Sequence, residues 1–215
     1  MSKYNRTYHL PWSPGTTSDD RISKSVDSLL NYEIVITEKL DGENCGMIDS
    51  GVYARSHSTF TTSPWSREVR ALHKLKVENQ LGDGVYMFGE NMEGIHSIEY
   101  SNLTSYYYIF GVKDNDRWLS WKEVEEYSYV FDIPTVPVLF RGVVSSYEEL
   151  KQLVEELVNQ PSELGGEREG VVVRLSGTFY NDEFSDCVMK WVRKNHVKTD
   201  EHWTRNWKKA NIKRY

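Results

Sequence analysis

Apolar residues along this chain recur with two different periods, and the places where one period gives way to the other mark its elements. Ile22, Val26, Leu29 and Leu30 follow a Ser/Asp-rich stretch at helical spacing, which predicts a short helix over 18–30. Short runs of β-branched and aromatic residues, bounded by Gly, Asp or Asn, predict strands at 33–38, 45–48, 52–55, 85–90, 106–113 and 117–120. Among them, residues 64–81 have the length and apolar spacing of a helix. Leu150, Leu153, Val154, Leu157 and Val158, with acids on the opposite face, predict an amphipathic surface helix over 146–159. Two more strands, 171–175 and 186–192, bracket a turn containing Gly and Asn. Strands and helices do not alternate regularly, so the pattern implies an α+β chain of antiparallel sheets packed with helices rather than a doubly wound fold.

Length and composition narrow this picture. At 215 residues, without a repeat or a Pro/Gly/Ser-rich linker, residues 1–215 read as a single domain with a sizeable core. Two distant cysteines, Cys45 and Cys187, exclude a disulfide scaffold and a structural zinc site and suggest a reducing compartment. The N-terminus lacks the apolar core of a signal peptide and no stretch is long enough to span a bilayer, so a cytoplasmic protein without a membrane partner is expected.

The net charge of -6 is unevenly placed. Residues 187–215 hold nine Lys/Arg against Asp200 and Glu201, while the other 186 residues carry 17 basic and 30 acidic side chains. With Trp203 and Trp207 interleaved, the basic C-terminal segment 196–215 suits two uses. It can track a phosphate backbone and stack bases, or dock on the domain as an amphipathic helix.

The segment Lys39-Leu40-Asp41-Gly42-Glu43-Asn44 directly follows the apolar strand 33–38. A lysine delivered by a strand into a glycine turn has the parts for covalent catalysis by an amine, provided that its surroundings expose the lone pair. Alone, the segment is equally a solvated hairpin turn. Further polar residues stand at other strand ends. Arg55 can bind a phosphate with paired charge-assisted bonds, and Glu90 in Phe-Gly-Glu can accept from a ribose hydroxyl. Phe110 offers an aromatic face to a purine. Glu169, at the mouth of a buried strand, can hold a divalent metal, and Lys190, Arg193 and Lys194 bring cations to the same place.

Taken in this order, these segments resemble the covalent nucleotidyltransferases, the superfamily of ATP-dependent DNA and RNA ligases and mRNA capping enzymes. Within it, RNA ligases of the RNA ligase 2-like kind and their bacterial relatives are the most similar. The resemblance runs from about residue 34 to residue 194. Lys39 matches the lysine of motif I, Lys-x-x-Gly, and Asn44 of Lys-x-x-Gly-x-Asn marks the RNA ligase branch. Arg55 fits motif Ia, Glu90 motif III, Phe110 motif IIIa, Glu169 motif IV and Lys190 the first lysine of motif V. Motif V often reads Lys-x-Lys; here Val192 takes the second position, which leaves Arg193 or Lys194 to supply the second cation.

The resemblance implies an ATP-grasp-like nucleotidyltransferase domain, with too few residues after motif V for an OB-fold. It implies ATP and a divalent metal (Mg or Mn) as cofactors, and a monomer acting in a bacterial or phage setting. The partner is RNA with 5′-phosphate and 3′-hydroxyl ends, in a nicked duplex or RNA/DNA hybrid. Lys39 would take AMP from ATP, pass it to the 5′-phosphate, and a 3′-hydroxyl would displace it. Backbone groups of Glu38, on what is taken as a strand edge, would read the adenine. Lys190 and Arg193 would hold phosphate, Asn44 would serve the later steps, and Asp41 would orient Lys39, reach the metal through water, or cap the turn. A small DNA ligase, a GTP-using capping transferase and a non-catalytic nucleic-acid-binding module stand as the alternatives.

Overall fold

A computed structural model describes residues 2–55, 59–194 and 203–213. In chain order the elements are β1 (Tyr8–His9), β2 (Glu33–Lys39), β3 (Glu43–Ile48), β4 (Gly51–Ala54), α1 (Arg67–Lys76), β5 (Val85–Asn91), β6 (Tyr107–Asp114) and β7 (Arg117–Trp118). They continue with α2 (Trp121–Phe131), β8 (Val138–Val143), α3 (Tyr147–Val158), β9 (Gly170–Leu175), β10 (Phe179–Tyr180), α4 (Phe184–Cys187) and β11 (Val188–Val192).

The strands form two sheets, one of five strands in the order β1-β11-β9-β2-β8 and one of six in the order β10-β7-β6-β5-β3-β4. All pairings are antiparallel except β1 with β11. Ile34, Ile36, Val171 and Val173 from the five-stranded sheet pack with Leu150 and Val154 of α3. At about 1.5 to 3 kcal/mol for each fully buried aliphatic side chain, this face holds α3 in place. Between the sheets an aromatic cluster of Tyr53, Phe88, Trp118 and Phe184, with Tyr4 and Phe110 against it, closes one end of a cleft. No helix among the described residues is long and apolar enough to cross a membrane.

Each predicted strand has a counterpart, with 117–120 and 186–192 shortened to β7 and β11, but the helix expected over 18–30 is not present. Ile22 bridges to His9 in an extended segment, and only Asp27–Leu29 form a single 3-10 turn. Ser23 Oγ donates to the carbonyl of Ser25, and Ser25 Oγ accepts the N–H of Asp27. Such local side-chain bonds compete with a helix, and one turn suffices to bury Val26 and Leu29. The helix expected over 64–81 is shorter, a 3-10 turn at Pro64–Ser66 followed by α1.

The tail docks rather than projects. Residues 203–213 lie along residues 93–103, with Ile95 N–H donating to the Lys208 carbonyl and Ala210 N–H to that of Glu93. Trp203 stacks on His96 at 3.9 Å between ring centres and meets Trp65 edge-on. Its local form is a 3-10 turn, Trp203–Asn206, and an isolated bridge, not the amphipathic helix that was the docking alternative. The rest of the predicted segment, 196–202 and 214–215, lies outside the described residues.

Candidate active site

The register of the two sheets assembles the site. In the six-stranded sheet, Asn44 pairs with Glu90 and the N–H of Arg55 donates to the Asn44 carbonyl at 3.1 Å. Arg55, Asn44 and Glu90 therefore form a row on one sheet face. In the other sheet Lys190 pairs with Val172, and Val172 with Thr37, two residues before Lys39, so these side chains point the same way. The two faces enclose a cavity of about 340 Å³ lined by Glu38, Lys39, Asn44, Arg55, Glu90, Phe110 and Lys190, seven of the predicted residues.

Phe110 reaches the cavity by a β-bulge. Phe88 pairs with Gly111 and Gly89 with Ile109, so Phe110 is the extra residue of β6 and is re-aimed out of the ladder. Gly42 is required by close approach: a Cβ there would lie 2.6 Å from the Asn91 carbonyl oxygen and 2.9 Å from Glu90 Cγ. This closeness lets the Gly42 N–H donate to Glu90 Oε1 at 3.2 Å, joining the lysine turn to β5.

The amine of Lys39 lies 2.7 Å from both carboxylate oxygens of Glu169, whose side chain is 4% exposed. Burial pulls the Lys39 pKa down, but the carboxylates of Glu169, Glu90 and Asp41 outweigh it and hold the amine above its ordinary value. The resting lysine is thus an ammonium. Glu90 is affected in the reverse sense: burial, against the pull of Lys39 and with the repulsion of Glu169 and Asp41, pushes it up to about 8. Lys190, its pKa lowered by burial despite Asp20, stands 3.4 Å from Asp20 Oδ1.

A raised carboxyl pKa has a stability consequence with a definite sign. Folded Glu90 keeps its proton up to about pH 8, whereas the unfolded chain loses it near 4.5. The stability that this group contributes is therefore complete below about pH 4.5 and is lost as pH rises through about 8. Glu90→Gln, which keeps the acceptor for Gly42, is expected to gain about 4 kcal/mol over the parent at pH 9 and less than about 1 kcal/mol at pH 5. Paired thermal melts at the two pH values measure this, and a pH-independent difference would contradict it.

One expectation needs amendment, and three predicted residues stand off the cavity wall. β2 is flanked by β8 and β9, so Glu38 does not lie on a strand edge. Its N–H donates to the Pro137 carbonyl at 2.8 Å, and the reciprocal bond to the Glu38 carbonyl cannot form because proline has no N–H. The Glu38 carbonyl thus lacks the ladder donor that an internal strand position would otherwise have at residue 137. The Glu38 side chain is 1% exposed, with Oε2 accepting the N–H of Glu163 and standing 3.7 Å from Arg168 Nη2. Asp41 is absent from the cavity wall; its Oδ2 accepts the N–H groups of Ser97 and Ile98 at 2.7 and 2.8 Å, tying the lysine turn to that loop. Arg193 is also absent from the wall and pairs with Glu167 at 2.6 Å, and Glu169, likewise not on the wall, meets the site through its pair with Lys39.

The cavity also has walls that the motifs did not indicate: Tyr4, Arg6, Thr7 and Asp20 from the N-terminal segment. Tyr4 meets the Phe110 ring edge-on at 4.9 Å, and its carbonyl accepts from Arg55 Nε at 3.4 Å. The sequence signal available for them was weak, a lone tyrosine and scattered charges in a polar stretch without periodicity.

Comparison with solved structures gives the same architecture. A Naegleria gruberi RNA ligase with pyrophosphate superposes with a TM-score of 0.59 at 18% identity, over 92% of this chain and 57% of that one. A mutant of that ligase with ATP and Mn gives 0.55 at 17%, over 80% and 53%. An archaeal ATP-dependent RNA ligase gives 0.56 at 12%, over 92% and 49%. The chain thus spans about half the length of these structures. No curated protein matches it. The RNA ligase family model matches residues 32–192, from the start of the Lys39 strand to the end of the Lys190 strand, and the chain belongs to the RNA ligase family.

Proposed function

We propose that this chain is an ATP-dependent RNA ligase that works through a lysyl-AMP intermediate, with residues 1–215 as one nucleotidyltransferase domain. The observation that carries the reading is the convergence of Lys39, Glu169, Glu90, Arg55, Asn44, Phe110 and Lys190 at one cleft between two sheets. The relatives with ATP and Mn, and with pyrophosphate, support the choice of nucleotide.

Phe110 from one sheet and Val172 from the other flank a slot suited to a flat base. At its side the Glu38 carbonyl accepts from the 6-amino group of adenine, whereas the 6-oxo group of guanine would meet it lone pair to lone pair. Glu90 accepts from the ribose hydroxyls, and Lys190 and Arg55 hold phosphate. Lys39 Nζ, once it has shed its proton, attacks the α-phosphorus; a phosphoramide bond forms and pyrophosphate leaves on the opposite side.

The site also suits a divalent cation. Three carboxyl groups surround a single amine, and Glu90 is pushed up to about 8 by burial, with repulsion from Glu169 and Asp41 adding to the rise. Among the described residues no group of three or more metal-ligating side chains is pre-assembled, and Glu169, beside the Lys39 amine, is the residue that would hold the metal. Such a metal, Mg or Mn, neutralises charge on the phosphates. In the later steps a 5′-phosphate oxygen displaces Lys39 from AMP, breaking the N–P bond, and a 3′-hydroxyl then attacks the adenylated 5′-phosphate and expels AMP as the phosphodiester forms; Asn44 is assigned to these steps by family resemblance.

The test is label transfer to the protein from α-labelled ATP or GTP with a divalent ion, followed by sealing of nicked duplexes with RNA or DNA 3′-hydroxyl strands. Transfer from ATP but not GTP is expected, with sealing that needs an RNA 3′-hydroxyl strand. Equal transfer from GTP would point to a capping transferase, and equal sealing of DNA to a DNA ligase.

A further inference from the structure

We propose that Asp20 is the positioning residue for Lys190, a fixed carboxylate that holds the lysine amine at the cavity wall before the nucleotide arrives. The proposal rests on the reading of Lys190 as a phosphate-binding cation, and it gives a role to the N-terminal segment.

Lys190 and His9 are register partners on β11 and β1. Asp20 Oδ1 faces both, 3.4 Å from Lys190 Nζ and 3.3 Å from His9 Nε2. Its other oxygen, Oδ2, accepts the N–H and the hydroxyl of Thr17, each at 3.0 Å. The histidine is itself fixed. It is 1% exposed, its Nδ1 lies 2.8 Å from Ser13 Oγ, and that hydroxyl oxygen accepts the N–H of Val192 at 3.0 Å. The backbone on either side is stitched to the same sheet: His9 N–H donates to the Arg21 carbonyl, Ser23 N–H to the His9 carbonyl and Gly15 N–H to the Val192 carbonyl.

A carboxylate aimed by two bonds from Thr17 and set against the buried His9 ring is more than the stability of this ion pair calls for. The Lys190 and Asp20 side chains are 21% and 26% exposed, and pairs reaching solvent contribute little to folding. The arrangement matters for the lysine, whose long flexible stem would otherwise sample many rotamers. An ammonium has three donors, so one bond to Asp20 leaves two for phosphate oxygens. Holding a charge where it is needed before the reaction is the form of catalysis that phosphoryl transfer uses most.

The experiment is a double-mutant cycle on the rate of Lys39 adenylylation under single-turnover conditions. It compares the parent, Asp20→Asn, Lys190→Ala and the double variant, with melting temperature recorded for each. Asp20→Asn is expected to slow the step about tenfold without a shift in melting temperature, and Lys190→Ala about a hundredfold. The double variant should be no slower than Lys190→Ala, because Asp20 acts through that amine. Thr17→Val, which removes one of the bonds aiming Asp20, should give a smaller loss of the same kind. Asp20→Asn at the parent rate, with Lys190→Ala slow, overturns the role of Asp20 and leaves that of Lys190 standing. A tenfold loss that persists on top of Lys190→Ala shows a merely structural aspartate and also overturns it. Lys190→Ala at the parent rate removes the reading of Lys190, and the proposal with it.

Discussion

Replacing Lys39 with alanine is expected to abolish transfer of AMP from ATP to the protein, by more than about 10⁴-fold, because loss of a covalent nucleophile leaves only binding behind. The other lysine at the cavity wall, Lys190, stands beside Asp20 and is no substitute. The same change leaves Glu169, 4% exposed, close to Glu90 and Asp41 without the amine that balances them. A loss of about 2 kcal/mol in stability should accompany the loss of activity. Inactivity alone is therefore ambiguous. Lys39→Ala combined with Glu169→Gln removes the buried charge along with its partner; it should melt near the parent temperature and still take up no label. Label on Lys39→Ala protein would overturn the mechanism. A double variant that stays as unstable as the single one would show that the ion pair is not the source of the stability loss.

The chemistry was easier to read from the sequence than the way it is held together. Lys39, Glu90 and Glu169 sit at or beside strand ends, which turn glycines and β-branched runs mark, whereas Phe110 and Lys190 lie inside β6 and β11 and were singled out by the order of the motifs. What brings them together is register, to which sequence periodicity is blind. The bulge that turns Phe110 into the cleft leaves no trace in its composition. Helix α2 escaped because its aromatic and β-branched residues look like strand, although Ser120 and Glu123 spell a capping box that the structure confirms. Strand β8 was hidden by Pro134, Pro137 and Gly142 around it. The false helix over 18–30 shows the opposite error, two buried residues one turn apart mistaken for a longer period. The tail tryptophans could not be read either way, since the same spacing serves base stacking and packing; Trp203 packs, over Gly94 and His96.

Arg168, which precedes the motif IV glutamate and belongs to no motif, is expected to be among the most sensitive positions for folding. Its side chain is fully buried, donates to the carbonyls or carboxylates of Leu157 and Glu163, and stands 3.7 Å from the equally buried Glu38. Burial already raises the Glu38 pKa, with Arg168 among the groups opposing the rise. Arg168→Met would fill most of the space and leave that carboxylate without its cation. Breaking such a pair from one side costs about 3 to 5 kcal/mol, far more than the pair contributes over an apolar replacement. The deficit should depend on pH in one direction. Glu38 would bind its proton more tightly in the folded variant than in the parent, so the loss should be smallest at low pH, where the carboxyl is neutral, and grow as pH rises. Glu38→Gln in the Arg168→Met background removes the stranded charge and should recover most of the stability at neutral pH. Urea unfolding of the three variants at pH 5 and pH 8 decides the matter. A loss that is the same at both, and that Glu38→Gln does not relieve, would mean that Arg168 acts through its packing and its bond to Leu157. The charge beneath the Lys39 strand would then play no part in holding that strand in register.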